Sequence, residues 1–212
     1  MKYLHFLTSL IFLFSCSKIS SNSESNNSTL KNPLYLDPNG VTVKAYEWAS
    51  IGDKGVINNI EYTIVGPTTL YDLVITSGDI SKVCTSKITT LDGLFGNSRP
   101  IKYSIQSWDV SNVKTMRNTF NGNTIFLFPD ISKWDVRNVT DMSSMFAYSN
   151  FNSDISNWNV SKVTDMTEMF YKNIQFSKDL SLWDVSNVTY CRDFNTGAIN
   201  WTLPKPVFTK CK

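Results

Sequence analysis

Trp134-Asp135-Val136-Arg137-Asn138-Val139-Thr140-Asp141-Met142-Ser143-Ser144-Met145-Phe146 is a stretch that the chain copies several times. Copies begin at Trp108, at Trp158 and, less closely, at Trp183. Two residues after each Trp stands Val110, Val136, Val160 or Val185, and three further on stands Val113, Val139, Val163 or Val188. The eighth position holds Met116, Met142, Met166 and then Cys191. Phe120, Phe146, Phe170 and Phe194 close the units, and Ile105, Ile131, Ile155 and Leu180 stand three residues ahead of each Trp. A fainter leading copy runs from Val83, in the Trp slot, through Ile88 and Leu91 to Phe95. Successive Trp residues are 26, 24 and 25 apart, whereas Trp-to-Phe is 12 in three copies and 11 in the last. Length variation therefore collects after the Phe, as in an exposed loop. A fixed period of this size reads as a stacked array of one supersecondary unit.

Within a unit, Ile155 to Val160 is short and carries β-branched residues and a Trp, which suits a strand. Val163, Met166, Met169 and Phe170 then fall at helical spacing. Asn138 or Thr140, or Thr164 in the next copy, would cap that helix, with Asp141 near its positive end. The spacing thus predicts an α/β repeat of short strand plus short helix units over residues 83–194.

The first sixteen residues read as an export signal: Lys2 is its basic end, and the apolar run from Tyr3 to Phe14 is too short to span a bilayer. It ends Leu13-Phe14-Ser15-Cys16, which resembles the bacterial lipobox; that resemblance implies cleavage before Cys16 and lipidation there, so that acyl chains hold the protein on a membrane. The alternative is an ordinary signal peptide with an incidental Cys. Residues 17–32 are rich in Ser and Asn and should form a flexible tether. From Pro33 to about Val65 the hydrophobic period shortens to two, with a turn at Asp37-Pro38-Asn39-Gly40 and short strands ending near Val43, Ile57 and Val65. Gly66-Pro67 breaks the chain, and Thr68 or Thr69 would cap a helix to about Ile75. Residues 33–82 are thus expected to be a small β-rich N-terminal cap on the array, and residues 195–212 a C-terminal one.

The repeats resemble those of the BspA-like bacterial surface lipoproteins, a divergent leucine-rich-repeat family. Asp154-Ile155-Ser156-Asn157-Trp158-Asn159-Val160-Ser161, Val163-Thr164-Asp165-Met166 and Met169-Phe170 carry the resemblance, with Tyr35 to Val43, Gly52 to Val65 and Val83-Cys84-Thr85-Ser86 as its lead-in. It implies a leucine-rich-repeat-like solenoid and an association with surface adhesion and protein interaction. The first copy departs from the pattern by lacking Trp, and the last carries Cys191 and Asp193 in its two Met slots.

With Cys16 lipidated, Cys84, Cys191 and Cys211 remain for an oxidising compartment. Cys84 and Cys191 sit four units apart, roughly 19 Å at ~4.8 Å per stacked strand, against a bridging limit of ~7 Å. Cys191 with Cys211 is the feasible disulfide, and Cys84 stays free.

The only His is His5, inside the signal, which removes imidazole-based triads, proton relays and metal sites. The Asp residues recur with the repeat, as structural groups do and a catalytic pair would not, so neither an enzyme nor a cofactor or metal centre is expected. A net charge of +2 with interspersed signs argues against a nucleic-acid partner. The repeat Trp residues are expected in the core rather than stacked on sugars. The candidate binding face is the polar row beside them: Asp109, Asp135, Asn159 and Asp184 with Ser111, Arg137, Ser161 and Ser186. The chain reads as a monomeric, exported, lipid-anchored protein of the cell envelope, at the outer membrane or cell surface. Its expected work is adhesion or protein-protein interaction; the alternatives are a glycan-binding surface protein and a purely structural envelope lipoprotein.

Overall fold

The structure, a computed structural model, describes residues 31–97, 99, 101–124 and 128–211. Its elements belong to one compact unit, Asn32–Lys212. Cys16, the predicted signal and nearly all of the predicted tether lie outside the described residues.

Strand β1 (Leu34–Leu36) pairs antiparallel with β2 (Val43–Ala45), placing Tyr35 opposite Lys44. Asp37 turns the chain between them: its carbonyl accepts from Gly40 N–H at 2.9 Å, and Gly40 supplies a φ of 75°. Strands β3 (Lys54–Ile57) and β4 (Ile60–Ile64) form a second hairpin through Asn58 and Asn59, both with positive φ. The short strand β5 (Val83–Cys84), which opens the first repeat copy, adds parallel to β4. Between them lies α1 (Pro67–Ile75), burying Leu70 and Val74. Its N-cap is Gly66 with no side-chain cap, so neither Thr68 nor Thr69 has the expected role; Pro67 presets φ for the first turn instead.

From Cys84 onward the expectation of a leucine-rich-repeat-like solenoid of strand-plus-helix units is overturned. The described residues hold two small β-sheets and one short helix, all complete by Cys84, and the copies beyond consist of turns and isolated bridges. The reason is local. Two positions per copy take left-handed φ, ten and fourteen residues after the Trp slot. They are Gly93 and Asn97, Asn118 and Gly122, Ser144 and Tyr148, Glu168 and Lys172, and Asp193 and Gly197. A left-handed residue every few positions forbids an α-helix. Amides that a helix would pair internally cross to the next copy: Met116, Asn118, Phe120 and Gly122 N–H donate to the carbonyls of Asp141, Ser143, Met145 and Ala147 at 2.8–3.0 Å. The same four bonds recur from Met142, Ser144, Phe146 and Tyr148 to the copy that follows.

Side chains repeat this stitching. Asn112, Asn138 and Asn187 Nδ2 donate to the carbonyls of Ser86, Ser111 and Ser161 one copy back, so Asn138 ties copies rather than capping a helix. Lys162, where the Asn is missing, donates to Asn138 Oδ1 at 2.8 Å. The core runs along the copies. Ile105, Trp108, Val110, Val113, Met116 and Phe120 are buried, as are Ile131, Trp134, Val136, Val139, Met142 and Phe146. So are Ile155, Trp158, Val160, Val163, Met166 and Phe170, and Leu180, Trp183, Val185, Val188 and Phe194. Phe95, Phe120, Phe146, Phe170 and Phe194 form a file with ring centroids 5.4–5.5 Å apart. Cys191 and Cys211 are joined as a disulfide with Cα atoms 5.6 Å apart, which brings the tail back so that Phe208 packs on Phe194. Cys84 is free and buried.

Candidate binding cleft

The polar row beside the Trp residues is built from one local device. At Asp109, Asn159 and Asp184 the side-chain Oδ1 accepts the N–H two residues on, from Ser111, Ser161 and Ser186, at 3.0–3.1 Å. This is an Asx turn, the reason a short acid or amide suits the position. Asp135 makes the same bond to Arg137 N–H, and its Oδ1 also takes Arg137 Nε at 2.7 Å. A second set precedes the buried aliphatics: Asp79, Asp130, Asp154 and Asp179 accept from Ser81, Ser132, Ser156 and Ser181. Bonds from those serines hold the four carboxyls below the ordinary Asp range, and Ser186 does the same for Asp184.

The row is not uniformly exposed. Asp109, expected to face solvent, is 3 % exposed, because the β1–β2 hairpin docks over it. Val43 N–H donates to Ser107 O, and Ala45 N–H donates to Ser86 Oγ, at 2.9 Å each. Ser86 Oγ in turn donates to Asp109 Oδ2. Lys44 Nζ lies between two acids, 3.1 Å from Asp37 and 4.0 Å from Asp109. Burial pulls the Lys44 ammonium down, but those carboxylates outweigh it and leave it above its ordinary value. The Asn39 amide and then Lys44 hold Asp37 low, against the opposing effect of burial.

Between hairpin and row opens a cleft of about 690 Å³. One wall is Asp37, Asn39, Thr42 and Lys44; the other is Asp109, Ser111, Asp135, Arg137, Asn138 and Asn159. Five of the eight row residues named from sequence thus come together, whereas Ser161, Asp184 and Ser186 lie along the row beyond the cleft. Sequence reasoning missed the hairpin wall. Lys44 carried a usable signal: it is a long cation between the apolar Val43 and Ala45, so it had to face away from what they pack on. Hydrogen-bond donors and acceptors of both charge signs surround the cleft. Such a lining can bond polar groups of either kind; it contains no His or Cys.

These features describe a tandem-repeat protein whose N-terminal hairpin and polar row enclose a polar cleft. The family described as "Mycoplasma protein of unknown function, DUF285" matches residues 69–149 and again 123–205, which together span more than half of the chain. The chain belongs to this family. The first match takes in most of α1 and the earlier repeats, the second the later repeats, and the hairpin wall of the cleft precedes both. No curated protein matches the chain, and no solved structure does.

Proposed function

We propose that this is a non-enzymatic, exported surface protein, anchored by lipid at Cys16, that binds a protein partner through the cleft. The observation that carries the reading is the meeting of the hairpin with Asp135, Arg137 and Asn159 around a polar space large enough for several side chains. The signal-like residues 1–16 and the likeness of the repeats to BspA-like surface lipoproteins support export and adhesion. Arg137 stands at the rim with its side chain 64 % exposed, where a partner's carboxylate can take the fork that Asp135 holds from one side.

The test is a screen of residues 17–212 against envelope and matrix proteins. The reading expects a specific protein ligand whose affinity falls at least tenfold when Asp135→Lys and Arg137→Glu are combined. Equal binding by that variant would remove the cleft from the reading. Full-length chain should partition with membranes and Cys16→Ser should not; a soluble wild type would remove the anchor.

A further inference from the structure

The ridge that follows each closing Phe changes character along the array. Sixteen residues after the Trp, the earlier copies carry Thr124 and Asn150, and the last two carry Ile174 and Ile199. These isoleucines are 44 % and 78 % exposed, and Asn200 Nδ2 donates to Ile174 O at 2.8 Å, which ties one loop to the next. Thirteen or fourteen residues after the Trp stand Tyr148, Tyr171 and Lys172. The two rings meet edge to face with centroids 5.3 Å apart, and Tyr148 is 48 % exposed. Lys172 Nζ lies over both, 5.5 Å from the Tyr148 centroid and 5.1 Å from that of Tyr171. Gly197 makes room for its stem: a Cβ there would stand 2.8 Å from Lys172 Cγ. No carboxylate among the described residues pairs with this ammonium. The acids of the same two ribbons, Glu168 and Asp193, accept from Ser144 Oγ and Thr196 Oγ1.

We propose that this ridge seats on an anionic lipid bilayer, with Ile174 and Ile199 entering the acyl boundary, Tyr148 and Tyr171 at the headgroups and Lys172 on a lipid phosphate. Each residue type matches one layer. An aliphatic side chain gains by leaving water, a Tyr ring prefers the headgroup level with its hydroxyl wet, and a Lys reaches phosphate while its stem stays on apolar surface. The cation–π contact places the ammonium without using its three N–H groups. A stable protein interface takes about 20–30 residues a side, many more than these five. Weak contact suffices for a bilayer, because the inference rests on the lipid-anchor reading of Cys16, which keeps the ridge near lipid. Residues 17–31 span at most about 50 Å when fully extended, and a short flexible link gives a millimolar effective concentration. The repeat residues that line the cleft stand within four positions of a Trp, and the ridge stands about half a period away, so a seated molecule keeps its cleft clear.

The experiment uses residues 17–212, which contain the whole compact unit and lack the anchor. The probes are vesicles of phosphatidylcholine alone and vesicles in which a third of the lipid is phosphatidylglycerol. In co-sedimentation at millimolar lipid, most of the protein should pellet with the anionic vesicles, bound about fivefold more tightly than to the neutral ones. At micromolar lipid it should stay in solution, as a Cys16→Ser chain would. Combining Ile174→Asn and Ile199→Asn, which gives both loops the residue type of Asn150, should weaken binding at least tenfold. Lys172→Gln should remove the preference for anionic lipid. The combined Asp135→Lys and Arg137→Glu change should leave lipid binding within about twofold, which separates the ridge from the cleft. The ridge positions are exposed, so these variants are expected to fold, and circular dichroism and melting curves check this. Absence of binding to anionic vesicles at millimolar lipid would overturn the proposal, as would undiminished binding by the folded double Ile variant. A dimer in lipid-free sedimentation that the double variant loses would also overturn it and assign the ridge to a second copy. None of these measurements involves Cys16, so failure of the anchor and failure of the ridge are read separately.

Discussion

The indole Nε1 of Trp158 donates to the carbonyl of Ile131, one copy earlier, at 3.2 Å. Trp108, Trp134 and Trp183 make the equivalent bond to Ile80, Ile105 and Ile155. The Trp is thus both a core filler and a polar tie between neighbouring copies, which is why Phe would not serve as well.

Trp158→Ala should lower unfolding free energy by about 3–5 kcal/mol, the range for truncating a buried aromatic. Trp158→Phe keeps most of the apolar burial and removes one of two bonds at the Ile131 carbonyl, which still accepts from Trp134 N–H at 3.0 Å, and should cost about 0.5–1.5 kcal/mol. Urea unfolding of both variants gives the comparison; a Trp158→Phe protein as stable as the wild type would mean the hydrogen bond contributes nothing.

The left-handed residues give a prediction of opposite sign. Glu168 has φ 55°, a conformation that costs an L-residue roughly 1–2 kcal/mol. Glu168→Gly should raise stability by up to about 1 kcal/mol after the added unfolded-state entropy is counted. Glu168→Val should lower it, and thermal melting of the two should move in opposite directions.

Much of the repeat was legible in the chain and its secondary structure was not, for a physical reason. Burial at Val110, Met116 or Phe120 follows from the spacing alone, since any regular stacking must put the recurring apolar positions inside. Val163, Met166 and Phe170 are spaced as a helix would space them, but a ribbon with left-handed residues satisfies the same spacing. The distinguishing signal was Gly93, Asn97, Asn118, Gly122 and Gly197, the residue types that tolerate positive φ, recurring at two frame positions. The cleft was half legible. Its row recurs with the period, whereas its hairpin wall depends on tertiary contacts such as Val43 to Ser107 that no local pattern announces.

The disulfide closes a loop with a sequence separation of 20. Cys211→Ser should cost about 3 kcal/mol in the chain-entropy model and release Phe208 from Phe194. A melting curve with and without reductant should show the wild type falling to the level of the variant. A reductant-insensitive wild type would contradict this.

Acid should loosen the whole array. Asp37, Asp79, Asp130, Asp154, Asp179 and Asp184 all have lowered pKa values in the fold. For a lowered pKa, the stabilisation is complete above the unfolded value of about 3.9 and disappears as pH falls through the folded values. The urea midpoint should therefore be flat with respect to these groups above about pH 5 and drop below about pH 4. Changing Asp79, Asp154 and Asp179 together to Asn should reduce the steepness of that drop. Lys44 acts at the other limit: its raised pKa contributes fully below the ordinary Lys value and is lost as pH rises through the folded one.

The four bonds that each ribbon sends to the next all run the same way, N–H toward the C-terminal neighbour. Peptide dipoles so aligned add up, and the array has an electrical direction as a helix does. At its N-terminal end the surplus is carbonyl oxygen, and the guanidinium of Arg99 sits there, bonded to Gly93 O and Leu94 O. At the far end the amides of Asp193, Asn195 and Gly197 hold the frame positions whose counterparts donate forward in earlier copies, and the Asp193 carboxylate accepts from Thr196 Oγ1 at 2.9 Å. A protein with almost no net charge is in this way a dipole, oriented by the order in which its copies were laid down.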